Sequence, residues 1–170
     1  MTLEELNGLS TAGFVAALGA IYEHSPWVAK AVAGFRPFAT VAALRRAMES
    51  AVDTALPEQK IALVVGHPDL GGKLARAGKL EAASASEQAG LGLDRLSDEE
   101  FEAFDSMNTA YRTKFGFPFV IAVKRHTRAS ILAAFAERLG HTPAVELNAA
   151  LAEVHAIARF RLDVLLGPAG

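Results

Sequence analysis

Ser97-Asp98-Glu99-Glu100-Phe101-Glu102-Ala103-Phe104-Asp105-Ser106-Met107-Asn108-Thr109-Ala110-Tyr111 is the stretch that decides the fold. Ser97 and Glu100 stand three apart, the spacing of a capping box that satisfies free amides at a helix N-terminus. Phe101, Phe104, Met107 and Tyr111 then recur every three or four residues and form one apolar stripe. Start signal and period agree on an amphipathic helix with one face committed to a core.

The same grammar extends in both directions. Phe14, Leu18 and Ile21 predict a helix over about Thr11 to Tyr22, ended before Ser25-Pro26 because a residue preceding proline avoids the α region. Thr40 caps a helix carrying Val41, Leu44, Met48 and Val52. Pro57 opens another that runs to about Val65, with Gly66 as its cap and Pro68 blocking continuation. Thr127 caps a helix with Ile131, Phe135 and Leu139 facing inward and Gly140 at its end. Thr142 caps the longest helix, Pro143 opens it, and Leu147, Leu151, Val154, Ala158, Leu162 and Leu165 carry its stripe to about Leu166. The expectation is an all-α chain. It forms a single compact helical domain over residues 1–166, with Gly167-Pro168-Ala169-Gly170 as a flexible tail.

Phe115-Gly116-Phe117-Pro118-Phe119-Val120-Ile121-Ala122-Val123 breaks the helical pattern. It is apolar, β-prone and interrupted by proline, yet no second strand candidate exists to pair with it. One short extended segment near residues 117–123 is therefore expected among the helices. Its backbone N–H and C=O groups need partners. A polar ligand can supply some of them; protein groups or water can equally do so.

Composition narrows the function. The 170 residues suffice for one domain with a substantial core. With 17 basic and 19 acidic residues the net charge is −2, and no Lys/Arg cluster gives the footprint of a nucleic-acid binder. The absence of cysteine excludes disulfides, thiol catalysis and cysteine metal sites, and fits a reducing compartment. No apolar run reaches the length of a membrane span, and the acidic Met1-Thr2-Leu3-Glu4-Glu5 lacks the features of a signal peptide. A cytoplasmic location is expected. No His-x-x-x-His or Glu-x-x-His pair suggests a metal site. Gly72-Lys73 lacks the upstream glycine and following Ser/Thr of a phosphate loop, and no nucleophile elbow or dinucleotide fingerprint is present.

Three places could carry chemistry. In Gly66-His67-Pro68-Asp69-Leu70-Gly71-Gly72-Lys73, the histidine follows a helix C-terminus, which favours imidazolium, and Asp69 is placed to orient it. Taken alone, the stretch reads first as a turn with a partly exposed histidine. In Ser84-Ala85-Ser86-Glu87-Gln88, helical spacing puts Ser84, Glu87 and Gln88 on one face. The same Ser84-x-x-Glu87 also reads as a capping box. Arg161 edges the apolar stripe of the last helix, as a snorkelling residue or as a fork for a carboxylate. His126 and His141 flank helix caps, and His155 has a packed or surface role.

Glu23-His24-Ser25-Pro26-Trp27-Val28, Arg36-Pro37-Phe38, His67-Pro68-Asp69-Leu70, Ser84-x-x-Glu87-Gln88, Ala89-Gly90-Leu91, Phe115-Gly116-Phe117-Pro118-Phe119-Val120 and Ile157-Ala158-Arg159-Phe160-Arg161-Leu162 occur in this order. Each is weak alone. As an ordered set over nearly the whole chain, they resemble the 2-oxo-4-hydroxy-4-carboxy-5-ureidoimidazoline (OHCU) decarboxylase family. The resemblance implies an all-helical carboxy-lyase of urate breakdown that makes (S)-allantoin from a small-molecule substrate, without cofactor or metal, often as a homodimer. It implies His67 and Glu87 as catalytic residues. Pro68, Ser84, Gln88, Arg161 and the backbone of Phe119, Val120, Ile121, Ala122 and Val123 become substrate-binding positions. Two other functions stay open at this level: another cofactor-free lyase or hydrolase of a related ureide, and a non-catalytic helical ligand-binding module.

Overall fold

The computed structural model describes residues 1–167. Among these residues ten α-helices follow one another: α1 (Leu3–Gly8), α2 (Thr11–Leu18), α3 (Pro26–Val32), α4 (Val41–Asp53), α5 (Pro57–Val65), α6 (Lys73–Arg76), α7 (Ala82–Ala89), α8 (Asp98–Phe115), α9 (Arg128–Arg138) and α10 (Pro143–Leu166). Two single 3₁₀ turns cover Ala33–Phe35 and Val123–Arg125. Among the described residues there is no strand, and residues 117–122 lie outside any helix, one residue short of the expected 117–123 because Val123 already enters a 3₁₀ turn. Of the expected tail, residues 168–170 lie outside the described residues. No helix among the described residues is long and apolar enough to cross a membrane.

The starts expected from sequence hold in atomic detail. Ser97 Oγ accepts from Glu100 N–H, and the Glu100 carboxylate accepts from Ser97 N–H at 2.9 Å. Thr40 Oγ1 accepts from Ala43 N–H at 3.0 Å. Pro57 and Pro143 each occupy a first helical position, where no N–H is needed. Three helices escaped the periodicity argument. The first, α1, is a single short turn set by a capping box of Thr2 and Glu5. Opened by Pro26, α3 begins where a break was expected, and the four-residue α6 is too short to show a period. The helix expected to reach Tyr22 stops at Leu18. Ile21 and Tyr22 nonetheless stay buried beyond its end.

The chain divides into two contact units. The first comprises Met1–Gly66 and the stretch from His155 onward. Here α3 packs on α2 and α4, over a core that includes Phe14, Leu18, Val28, Leu44, Met48 and Val52. Asn7 and Phe38 exchange two hydrogen bonds, each of 2.9 Å. His155 bridges Tyr22 Oη, 2.9 Å from Nδ1, and Asp53 Oδ1, 3.2 Å from Nε2. Of the packed or surface role expected for it, these two contacts bear out the packed one.

The second unit, His67–Val154, is built around rings. Phe119 and Phe135 stack with centroids 3.8 Å apart, and Tyr111 meets Phe119 edge-on at 5.3 Å. Phe119, Phe135 and Tyr111 are fully buried, each contributing about 2–3 kcal/mol of hydrophobic stabilisation. The stripe on α8 is rotated slightly from its expected place. Phe104 and Tyr111 are buried with Asn108, while Phe101 and Met107 are half-buried. Gly116, at φ 79°, ends α8 in the left-handed region that glycine adopts without penalty. The chain then enters the extended segment.

Candidate active site

The second unit brings together three of the segments singled out in the sequence. The loop after His67 is fastened to α7 by Gln88, whose Nε2 donates to Asp69 O at 3.1 Å and whose Oε1 accepts from Gly71 N–H at 3.0 Å. Asn108 adds a third tie from α8, its Nδ2 donating to Leu70 O at 2.9 Å. Gly71 has φ 56°, and a Cβ there would lie 2.7 Å from Leu96 Cδ1 and 3.3 Å from Phe104 Cγ. Glycine is thus required for the loop to pass so close to α8. His67 itself is buried to 5% exposure and Pro68 is half-buried.

Asp69 does not take the orienting role considered for it. Its Oδ1 accepts from Arg112 Nε at 2.8 Å, so this carboxylate braces the loop against α8. The capping-box reading of Ser84 and Glu87 is also overturned. Helix α7 starts at Ala82 with Glu81 as its N-cap, so Ser84 already lies a turn inside. The shared-face reading stands: Ser84 and Gln88 are buried and Glu87 is half-buried on the same helix. That helix packs against the 3₁₀ turn Val123–Arg125, which ends the extended segment.

Backbone bookkeeping makes this segment unusual. Phe119, Val120, Ile121, Ala122 and Val123 are each at most 5% exposed. Val120 C=O accepts from Arg138 Nη1 at 2.8 Å, Ala122 N–H donates to Glu153 Oε2 at 2.8 Å, and Ala122 C=O accepts from Arg125 N–H at 3.0 Å. The N–H and C=O of both Phe119 and Ile121 find no partner among the described residues. Buried backbone groups are rarely left so, because desolvating an amide without a hydrogen bond costs about 1–3 kcal/mol. A small molecule rich in N–H and C=O groups matches what this backbone lacks.

Sequence reasoning missed the residues that hold the segment. Arg138 and Glu146 are buried at 8% and 0% exposure. Arg138 Nε lies 2.8 Å from Glu146 Oε1, and its guanidinium stacks on Phe119, 4.3 Å from the ring centroid. Glu146 also accepts from Tyr111 Oη and sits 2.8 Å from His141 Nδ1. Burial raises the Tyr111 phenol pKa well above its ordinary value, with its hydrogen bond to Glu146 acting in the same direction. Asn108 was within reach of the sequence argument, since it stands four residues after Phe104 and three before Tyr111 on the same stripe.

Arg161 belongs to the first unit. At 8% exposure it is buried rather than snorkelling, with Nη1 2.6 Å from Glu23 Oε2 and 3.1 Å from Ala20 O. That pairing gives the Glu23-His24-Ser25-Pro26 motif a physical reason, since a buried guanidinium needs a counter-charge and full hydrogen bonding. Among the described residues no group of three or more His, Asp or Glu side chains could hold a metal ion.

The second unit is an all-α scaffold that buries a histidine, carries a half-buried carboxylate on α7 and leaves amide groups of the extended segment without a partner among the described residues, the features a small-molecule site requires. Residues 7–163 match the model of the OHCU decarboxylase family. A 2-oxo-4-hydroxy-4-carboxy-5-ureidoimidazoline decarboxylase of Haloferax volcanii is 45% identical over 162 residues, covering 95% of this chain and 94% of that protein. Its namesake from Halalkalicoccus jeotgali is 40% identical over 168 residues, covering 99% and 93%. Among solved structures, an (S)-allantoin synthase superposes with a TM-score of 0.78 at 35% identity; the match covers 98% of this chain and 54% of that one. The chain belongs to the OHCU decarboxylase family.

Proposed function

We propose that the chain converts 2-oxo-4-hydroxy-4-carboxy-5-ureidoimidazoline to (S)-allantoin and CO2 in urate degradation. The observation that carries this reading is the family match over residues 7–163, which brackets every residue of the candidate site. The backbone of Phe119 and Ile121, without partners among the described residues, supports it, because the substrate is a ureide with several N–H and C=O groups.

The substrate explains how side chains alone can suffice. The carbon that loses CO2 carries a hydroxyl and neighbours a C=N bond. As the carboxylate leaves, its electron pair enters the new C=C bond and the imine nitrogen takes up the displaced pair with a proton. No external electron sink is called for. The resulting enol then collapses. Glu87 accepts the hydroxyl proton, a carbonyl forms, and the former imine carbon is protonated on one face. His67 assists CO2 loss and delivers that proton, fixing the S configuration. One proton is taken up overall for each CO2 released.

Ser84, Gln88, Pro68 and the backbone from Phe119 to Val123 bind the carboxylate, ureido and ring groups, and the family resemblance implies Arg161 as a further substrate-binding position. Such positioning contributes several kcal/mol to lowering a barrier. The enzyme acts in the cytoplasm, a location supported by the absence of cysteine, and assembles as a homodimer, as the family resemblance implies.

The test is a coupled assay. Two upstream enzymes generate the unstable substrate from urate, and circular dichroism follows (S)-allantoin. Rapid appearance of one enantiomer is expected. A rate no faster than the spontaneous reaction, or racemic product, would overturn the assignment. Sedimentation analysis checks the dimer.

A further inference from the structure

The extended segment does not hold its own shape. It lies between helices, has no strand among the described residues to pair with, and contains Pro118, which cannot donate. Two charged side chains from different helices fix it instead. Arg138 on α9 grips Val120 C=O from one side, while Glu153 on α10 accepts Ala122 N–H. These two anchors flank Ile121, whose own N–H and C=O have no partner among the described residues.

The anchors differ in how firmly they are themselves held. Arg138 is locked by Glu146 through Nε and Nη2, at 2.8 and 2.5 Å, and by the Phe119 ring. Removing it strands a fully buried carboxylate and endangers the fold. Glu153 is half-buried, and its one hydrogen bond within the second unit goes to Ala122 N–H. A half-buried carboxylate that satisfies one buried backbone amide stabilises the fold through that bond, and it also fixes where the peptide sits.

We infer that Glu153, acting with Arg138, is a positioning residue for the reaction: it sets the Ile121 peptide so that its N–H and C=O meet the substrate. The inference rests on the proposed function and deepens it. The contact it positions is with groups that do not react, so it strengthens substrate and transition state alike. Loss of such uniform binding appears in KM and leaves kcat nearly unchanged.

The test compares Glu153→Gln, Glu153→Asp and Glu153→Ala in the coupled assay, with thermal melting of each. Gln keeps the length and an acceptor oxygen. Asp keeps the charge but is one methylene too short for the Ala122 amide. The expected result is a KM within about twofold of wild type for Gln, and raised about tenfold for Asp and Ala with kcat little changed, the size of one well-aligned hydrogen bond. Asp and Gln are both mild enough to decide the matter if the Ala variant does not fold. An Asp variant with wild-type KM overturns the inference, as does a Gln variant that fails as badly as Asp. A wild-type chain with no activity above the spontaneous rate removes the proposed function, and this inference with it.

Discussion

The Gln88 side-chain carbonyl accepts the Gly71 N–H at 3.0 Å, tying α7 to the loop that begins with His67. The same amide donates to Asp69 O, so one side chain satisfies two backbone groups of the loop. Gln88 is 3% exposed. Its replacement by Ala leaves two loop groups without their partner. A stability loss of about 1–3 kcal/mol is expected, measured by urea unfolding. Activity falls further than stability explains, because the loop carrying His67 loses its tie to α7 and the proposed site loses a substrate-binding side chain. A Gln88→Ala protein with unchanged urea midpoint and unchanged kcat/KM would show the clamp to be idle.

Gly71 gives a sharper version of the same test. At φ 56°, with Leu96 Cδ1 2.7 Å from where an added Cβ would sit, alanine meets both a disfavoured backbone conformation and a steric obstacle. The Leu96 side chain can turn aside, but the backbone cost remains. Gly71→Ala is expected to lower stability by about 1–3 kcal/mol, seen as a fall in Tm. Gly78 makes a fair control, since it also has positive φ, 65°, but nothing lies within 4 Å of its added Cβ. If the two alanine variants melt together, the close packing of Gly71 against α8 has no energetic weight.

The helix starts were legible because their causes are local. Ser97 and Glu100, or Thr40 and Ala43, are close in sequence and close in space. The extended segment was legible for the same reason, since Pro118 and the lack of a pairing strand are both visible in the chain. The anchors of that segment were not. Periodicity assigns charged residues to the solvent side of a helix, yet Arg138 and Glu146 are buried because each neutralises the other. Nothing local in α9 or α10 announces that pairing; the stripe argument accordingly chose Leu139, which is only half-buried. Ser84 shows the reverse error. Its spacing to Glu87 satisfies the capping pattern, but Glu81 starts the helix one turn earlier and leaves Ser84 buried and Glu87 half-buried inside it.

The start of α8 predicts a pH dependence. The Glu100 carboxyl is held below its ordinary pKa, first by the Ser97 backbone N–H and then by the hydrogen bond from Arg128. A carboxyl with depressed folded pKa stabilises the fold fully above its unfolded pKa, and that contribution disappears as pH falls through the lower folded value. The melting temperatures of wild type and Glu100→Gln should therefore differ most near neutral pH and converge in acid. The group is accessible to solvent, so the difference is small and shrinks with added salt. A difference that widens on acidification would reverse the assigned sign.

His67 and Glu87 carry the chemical prediction. His67 is buried, so its replacement by Asn keeps bulk and polarity while removing a group able to exchange protons near neutral pH. Loss of general acid–base assistance costs about 10²–10⁴ in rate, and the fall should appear in kcat. Glu87→Gln preserves shape and hydrogen bonding but cannot accept the hydroxyl proton, so it should lose kcat on a similar scale while still binding product. The two variants differ in what escapes. With Glu87→Gln the remaining slow product stays predominantly (S), because His67 still supplies the proton from one face. With His67→Asn solvent protonates the enol, and circular dichroism should show allantoin of much reduced enantiomeric excess. If the His67→Asn product is as enantiopure as wild type, another group delivers the proton and the histidine's part is confined to the loss of CO2.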